Sequence, residues 1–461
     1  MSTAARKAHA HLKQIINNDY NRIKLGLEWI RLPFQETAFI RNIQRLGNEI
    51  AAKYENVVFL GIGGSYLGLK AAQDALLPPY YNEFAPLRKG RPRVYFEGNN
   101  LDPDTIKMIL ENLNPKKTFV VVISKSGETL ETKVAFLVIE SWLKKGVGRF
   151  YNRQIFAITD PHHGTLRRRV QSEQAKDILS FRNLPFREGV IGRYSELNIG
   201  LLHLAIVGVD LKALLEGAAQ MNRRCSSPNF FKNPASMYAL LHYILYTKKG
   251  KSIAVMMPFF EGLKSTADWY VQLLAESLGK KYPRKIITTK DGREIWQDDR
   301  HKIINVGRTP ISCRGTNDLH SVHQNLVGGE NNKAVTFIQV KKIKEDFKIP
   351  QTSDFISRKS YSELLSLAQE ASAWALTREK RPNCTIIMPE VNAYHWGGLI
   401  FFFQLATTFE GELLNVNAFD QPGVESYKQY MYYKLKKAGV SKEVATQIDN
   451  NPLVRHPRFI I

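Results

Sequence analysis

Apolar residues in this chain gather into short, nearly unbroken runs, separated by mixed stretches of helix length. Runs at 56–61 (NVVFLG), 93–98 (RVYFEG), 118–124 (TFVVVIS), 154–159 (QIFAIT) and 177–181 (DILSF) predict one series of strands. A long helical stretch through NIGLLHLAIVGV and ALLEGAAQMNRR intervenes, and a second series follows at 252–258, 285–289, 302–306, 334–340 and 384–389. Strands apolar on both faces and alternating with helices are the pattern of parallel sheets covered on both sides. The expected fold is therefore α/β, with two doubly wound parallel-sheet units, each a three-layer αβα arrangement. The opening (about 1–45) reads as polar helix. The last residues also read as polar helix, with YKQYMYYKLKKAG running to a glycine stop.

Composition refines this picture only slightly. A chain of 461 residues, 44% hydrophobic, has material for roughly two or three domains. The first residues, MSTAARKAHAHLKQ, contain no secretory apolar core, and the most apolar stretches (237–246 and 397–406) are too short to span a bilayer. Cys225, Cys313 and Cys384 lie far apart, which argues against a disulfide framework or a CxxC zinc site and suits a reducing cytosol. The net charge of +22 raises the question of a nucleic-acid partner. The basic residues are scattered and form no tail or aromatic-interleaved stripe, so solubility and steering of small anions account for the charge better.

Ligands of doubly wound folds bind beyond the carboxyl ends of the strands, so the loops there carry the chemistry. The first strand runs into GIGGSYLG (61–68), where a glycine-rich turn brings backbone N–H groups and a helix N-terminus together. A dinucleotide fingerprint would need a third glycine where Tyr66 stands, although Glu97 does end the next strand. Taken alone, this loop reads equally well as a tight turn. The third strand empties into SKSGETLET (124–132), in which Ser124, Ser126 and Thr129 can all reach one anion above a helix starting near Glu128. No GxxxxGK[ST] motif is present, which argues against a nucleoside triphosphate. An empty hydroxyl cap is the plain alternative. Two adjacent loops of this kind favour a phosphate on a small molecule.

Four further residues are candidates, each with an ordinary reading beside it. Arg193 sits in a turn (IGRYS) and could be a solvated charge. Glu276 lies on the apolar side of a helix, in step with Leu273 and before Gly279. His320 and His323 are spaced to hold a metal, but no third ligand lies near in sequence. Lys428 closes FDQPGVESYK, a stiff turn leading into the final helix.

Taken together, GIGGSYLG, SKSGETLET, GRYS, AESLGK, GTNDLHS (315–321) and FDQPGVESYK resemble, in order, the blocks of the glucose-6-phosphate isomerase family of the sugar isomerase (SIS) superfamily. The resemblance spans residues 61 to 428, with Gly411, Leu413 and Leu414 at the family's spacing before Phe419. One block departs from the pattern. Ile191 replaces a glycine or proline, and Glu196 and Asn198 stand where the family has an apolar and a small residue.

The resemblance implies SIS-type domains, a smaller one over 46–205 and a larger one from 1–45 and 206–461, the latter with N-terminal helices and a helical C-terminal arm. It implies a homodimer with shared active sites, a sugar phosphate substrate, and a cytoplasmic place in glycolysis and gluconeogenesis. Gly64, Ser65, Ser124, Lys125, Ser126 and Thr129 would hold the phosphate and Gln421 would line the site. Glu276 would be the general base, Arg193 the stabiliser of the intermediate, and His320 with Lys428 the ring-opening pair. Aldose–ketose interconversion through an enediol needs an acid and a base for ring opening, a carboxylate at C2 and a fixed cation for the developing oxyanion. It needs no metal, cofactor, nucleic acid or membrane. Two alternatives remain: an isomerase that also takes mannose 6-phosphate, and a non-catalytic sugar-phosphate-binding regulator, which would have no use for Glu276, His320 and Lys428 together.

Overall fold

The computed structural model describes residues 2–175 and 182–452. The first sheet consists of β1 (Asn56–Leu60), β2 (Arg93–Glu97), β3 (Thr118–Ile123), β4 (Ile155–Thr159) and β5 (Arg182–Pro185). All pairings are parallel, in the order β2-β1-β3-β4-β5. β1, β3 and β4 are buried along their whole length because helices cover both faces. On one side Val57, Phe59, Val121 and Phe156 pack with Ile199, Leu202 and Ile206 of the helix Glu196–Ile206. On the other side Val58, Val120 and Val122 pack against Ile109, Ile139 and Leu143. Each such side chain contributes about 1.5–3 kcal/mol by leaving water. The strand expected over 177–181 lies outside the described residues.

The second sheet is formed by β6 (Ile253–Pro258), β9 (Thr309–Ser312), β10 (Lys333–Lys342) and β11 (Asn383–Glu390), parallel throughout in the order β11-β10-β6-β9. Two expectations fail here. The run at 285–289 belongs to β7 (Arg284–Thr288), which pairs antiparallel with β8 (Glu294–Asp298) in a separate ribbon. The run at 302–306 forms no strand: only Val306 makes a bridge, to Lys280, and Ile303 is 61% exposed. The sheet takes its strand from 309–312 instead, where Pro310 is tolerated because β9 lies at the edge.

The helix Ala393–Leu414 is apolar all round and accordingly buried over most of its length. Among the described residues no helix is long and apolar enough to cross a membrane. The helical opening comprises Ser2–Asn17, Asp19–Lys24 and Thr37–Lys53. By backbone proximity the chain forms two compact units, Met1–Ala418, which holds both sheets, and Phe419–Ile461. The second unit is helical, with Glu425–Lys434 and Lys442–Asn450. The first of these helices ends five residues before Gly439, which has φ +91°.

Candidate active site

The winding of the first sheet reverses between β1 and β3, so the loops that leave these adjacent strands open a crevice. These are the glycine loop and the hydroxyl loop. Their strands lie roughly 5 Å apart, close enough for both loops to reach one small anion.

The glycine loop turns through Gly63–Ser65 into the helix Leu67–Leu76. Gly64 is required by a close approach: a Cβ there would lie 2.2 Å from the carbonyl carbon of Gly192 and 2.6 Å from the amide nitrogen of Arg193. The loop is thus pressed against the arginine turn. Glu97, at the end of β2, is engaged within the protein. Its buried carboxylate accepts from the Gly98 amide and Thr105 Oγ1, and burial raises its pKa.

In the hydroxyl loop Ser124 is buried, and its amide donates to the Ile158 carbonyl. Ser124 Oγ accepts from the Gly127 amide (3.0 Å) and Ser126 Oγ from the Glu128 amide (3.1 Å). The carbonyl of Lys125 accepts from the Asp160 amide and Thr159 Oγ1, which ties the loop to the end of β4. Gly127 has φ +72°, and a Cβ there would sit 2.4 Å from the Leu166 amide nitrogen. The helix that follows starts at Leu130, two residues later than expected, with Thr129 as its N-cap residue. The Thr129 hydroxyl makes no cap bond. Ser126 is exposed and Thr129 half-buried at the helix N-terminus, where backbone N–H groups can also receive an anion.

Arg193 and Glu276 are brought together although 83 residues apart. Arg193 is 2% exposed and lies in the turn Gly192–Tyr194. Its Nε donates to Ser277 Oγ (2.9 Å), Nη2 to the Ala418 carbonyl (2.7 Å) and Nη1 to Glu276 Oε2 (3.1 Å). Each nitrogen of the guanidinium is therefore held. Glu276, on the helix Lys264–Leu278, keeps 30% of its side chain exposed, while Leu273 and Leu274 beside it are buried. Its Oε1 accepts from Gln272 Nε2 (3.1 Å). Gln272 also sits 2.9 Å from where a Cβ on Gly63 would be, so the carboxylate, the glycine loop and the arginine share one locality. Gln272 and Ser277 were not singled out from the sequence. Gln272 stands four residues before Glu276, a spacing that puts helical side chains in contact and could have exposed it.

The remaining candidates each have surroundings of their own. His320 ends a short turn (Asn317–His320) after β9 and is exposed, and its imidazole makes no hydrogen bond to another described residue. Asp318 holds that turn by accepting from the Arg314 amide (2.7 Å) and Ser321 Oγ (2.9 Å). His323 instead bonds Ser372 Oγ. In the second compact unit Gln421 precedes the turn Pro422–Val424. Lys428 lies on the helix Glu425–Lys434 and pairs with Glu425 at 2.8 Å. Burial of Lys428 is outweighed by this hydrogen bond and by the Glu425 charge, so its pKa lies above the ordinary lysine value.

The phosphoglucose isomerase family model matches residues 39–451. A glucose-6-phosphate isomerase from Carboxydothermus hydrogenoformans is 36% identical over 442 residues, covering 94% of this chain and 90% of that relative. Another from Methanocaldococcus jannaschii is 35% identical over 423 residues, covering 91% and 94% respectively. A hypothetical protein from Thermus thermophilus superposes with a TM-score of 0.79 at 31% identity, over 94% of this chain and 95% of that one. With a match this long and relatives this similar, the chain belongs to the phosphoglucose isomerase family.

Proposed function

We propose that this protein interconverts glucose 6-phosphate and fructose 6-phosphate by ring opening and proton transfer through a cis-enediol. The observation that carries the reading is the Arg193–Glu276 pair beside the glycine loop. A carboxylate with an open face can move a proton between C2 and C1. A guanidinium locked by three bonds can meet the oxyanion that develops next to it without reorganising. The phosphate, bound by Ser65, Ser124, Ser126, Thr129 and the backbone at Gly64 and Lys125, supplies positioning energy far from the reacting carbons. His320 and Lys428 open the ring and Gln421 lines the site, roles that rest on the family resemblance. The exposure and lack of bonds of His320 suit a residue offered to another chain. The reading therefore includes a homodimer in which His320 of the partner subunit completes each site.

In this reading the two sheets are the cores of two SIS-type domains, 46–205 and 1–45 with 206–461. The enzyme works in the cytoplasm, in glycolysis and gluconeogenesis. A coupled assay with glucose, mannose and fructose 6-phosphates tests the substrate assignment: turnover of glucose and fructose 6-phosphates is expected, and their inertness would refute it. Turnover of mannose 6-phosphate would widen the specificity. The shared site is tested by refolding Glu276→Gln and His320→Ala together. Heterodimers then carry one intact site, and roughly a quarter of wild-type activity returns. A dead mixture with proven heterodimers rules sharing out.

A further inference from the structure

The residue after the arginine turn is a buried acid. Glu196 is the first residue of the helix Glu196–Ile206, is 3% exposed, and among the described residues forms no ion pair. Its Oε1 accepts from Trp269 Nε1 at 2.6 Å and its Oε2 from Gln404 Nε2 at 2.7 Å. Gly68 makes room for it, since a Cβ there would lie 2.3 Å from Glu196 Cγ. One carboxylate thus joins four helices: its own, Leu67–Leu76 after the glycine loop, Lys264–Leu278 and Ala393–Leu414. Burying a carboxylate without a cation is costly, and burial pushes its carboxyl up to about 7. An apolar side chain would fill this space at lower cost, so the acid calls for a reason beyond packing.

We propose that Glu196 is a positioning residue for the isomerisation, holding the helix that carries Glu276 in register with the turn that carries Arg193. The inference rests on the pair's role proposed above. Trp269 precedes Glu276 by seven residues, two helical turns within about 20°, so the two side chains share one face of the same helix. Glu196 follows Arg193 by three residues. The bond to the Trp269 indole therefore ties the element bearing the base to the element bearing the cation. The bond to Gln404 fixes the carboxylate's other oxygen and so prevents its rotation. A short shift at Trp269 would carry Glu276 away from Arg193, and a displacement on the order of 1 Å can cost about a hundredfold in rate.

The test compares Glu196→Ala, Trp269→Phe and the exchange Glu196→Gln/Gln404→Glu, each checked for folding by circular dichroism. The exchange keeps an acceptor for the indole and a donor–acceptor pair with position 404, with the charge moved across. Glu196→Ala and Trp269→Phe should each lose about tenfold to a hundredfold in kcat with KM changed less than about threefold, and the exchange should recover most of that loss. A folded Glu196→Ala or Trp269→Phe enzyme with kcat within twofold of wild type overturns the proposal. So does a folded exchange variant that stays as slow as Glu196→Ala. Glu276→Gln measured in parallel separates the two claims: if it turns over normally, the role of the pair itself has failed and the positioning role falls with it.

Discussion

The two parallel sheets are wound alike and used differently. Counted along the chain, each places its second strand beside its first and its third on the first's other side, so each reverses direction once. At the reversal in the first sheet stand glycines and hydroxyls: Gly61, Gly63, Gly64, Ser124 and Ser126. At the reversal between β6 and β10 stands Phe259, buried against Phe337. Gly315 approaches it so closely that a Cβ would lie 2.5 Å from the ring. The same backbone topology thus gives a polar crevice in one sheet and a packed core in the other. Winding supplies the place, and side chains at the strand ends decide whether it is a site. The second sheet contributes differently: its β9 loop carries exposed His320 outward.

That contrast can be broken at several points. Among the changes that compare the two reversals, the arginine should show the largest effect. Arg193→Ala should lower kcat about 10²–10³-fold, the range for loss of an oxyanion donor, measured on folded protein with fructose 6-phosphate. A loss under tenfold would make Arg193 a structural residue. At the second reversal the effect should fall on stability instead. Phe259→Ala should cost about 3–5 kcal/mol in denaturant unfolding while KM stays near wild type. A raised KM with unchanged stability would mean that the second crevice binds substrate. The hydroxyl loop should behave in the opposite way: Ser126→Ala/Thr129→Ala should raise KM about tenfold and weaken inhibition by sulfate, with Tm nearly unchanged. Sulfate inhibition that survives intact puts the anion elsewhere.

A smaller effect concerns pH. Glu196 faces the Trp269 indole, the Gln404 amide and the Tyr194 phenol, and its carboxyl stands near 7 in the fold against 4.5 otherwise. The folded state therefore holds the proton more tightly. The contribution is fully present below about 4.5 and is lost as pH rises towards 7, in total about 3 kcal/mol. Glu196→Gln should flatten that decline in unfolding free energy relative to wild type. An identical slope in both proteins would place the raised carboxyl elsewhere.

Much of this was legible in the sequence, because the strands β1, β3 and β4 are buried on both faces and announce themselves as unbroken apolar runs. The hydroxyl loop was legible because it interrupts such a run. The ribbon β7–β8 was not: Ile286, Ile287 and Ile295 are partly exposed, and an apolar run cannot say whether a sheet covers it. KIINV misled for the same reason, while β9, with Pro310 inside it, carries no strand signal. The link from Glu196 to Trp269 and Gln404 spans 73 and 208 residues, and no local pattern encodes it. What the sequence did carry there was an acid, Glu196, directly after the GRYS block. The structure shows where that acid sits.

In the proposed reaction the carboxylate beside Arg193 moves the substrate proton. The most direct test follows deuterium from solvent into C2 of glucose 6-phosphate formed from fructose 6-phosphate. Wild-type enzyme should incorporate it with turnover. Glu276→Gln should still bind fructose 6-phosphate in a titration, yet lose both incorporation and isomerisation by several orders of magnitude. Undiminished incorporation by a folded Glu276→Gln enzyme would contradict the account.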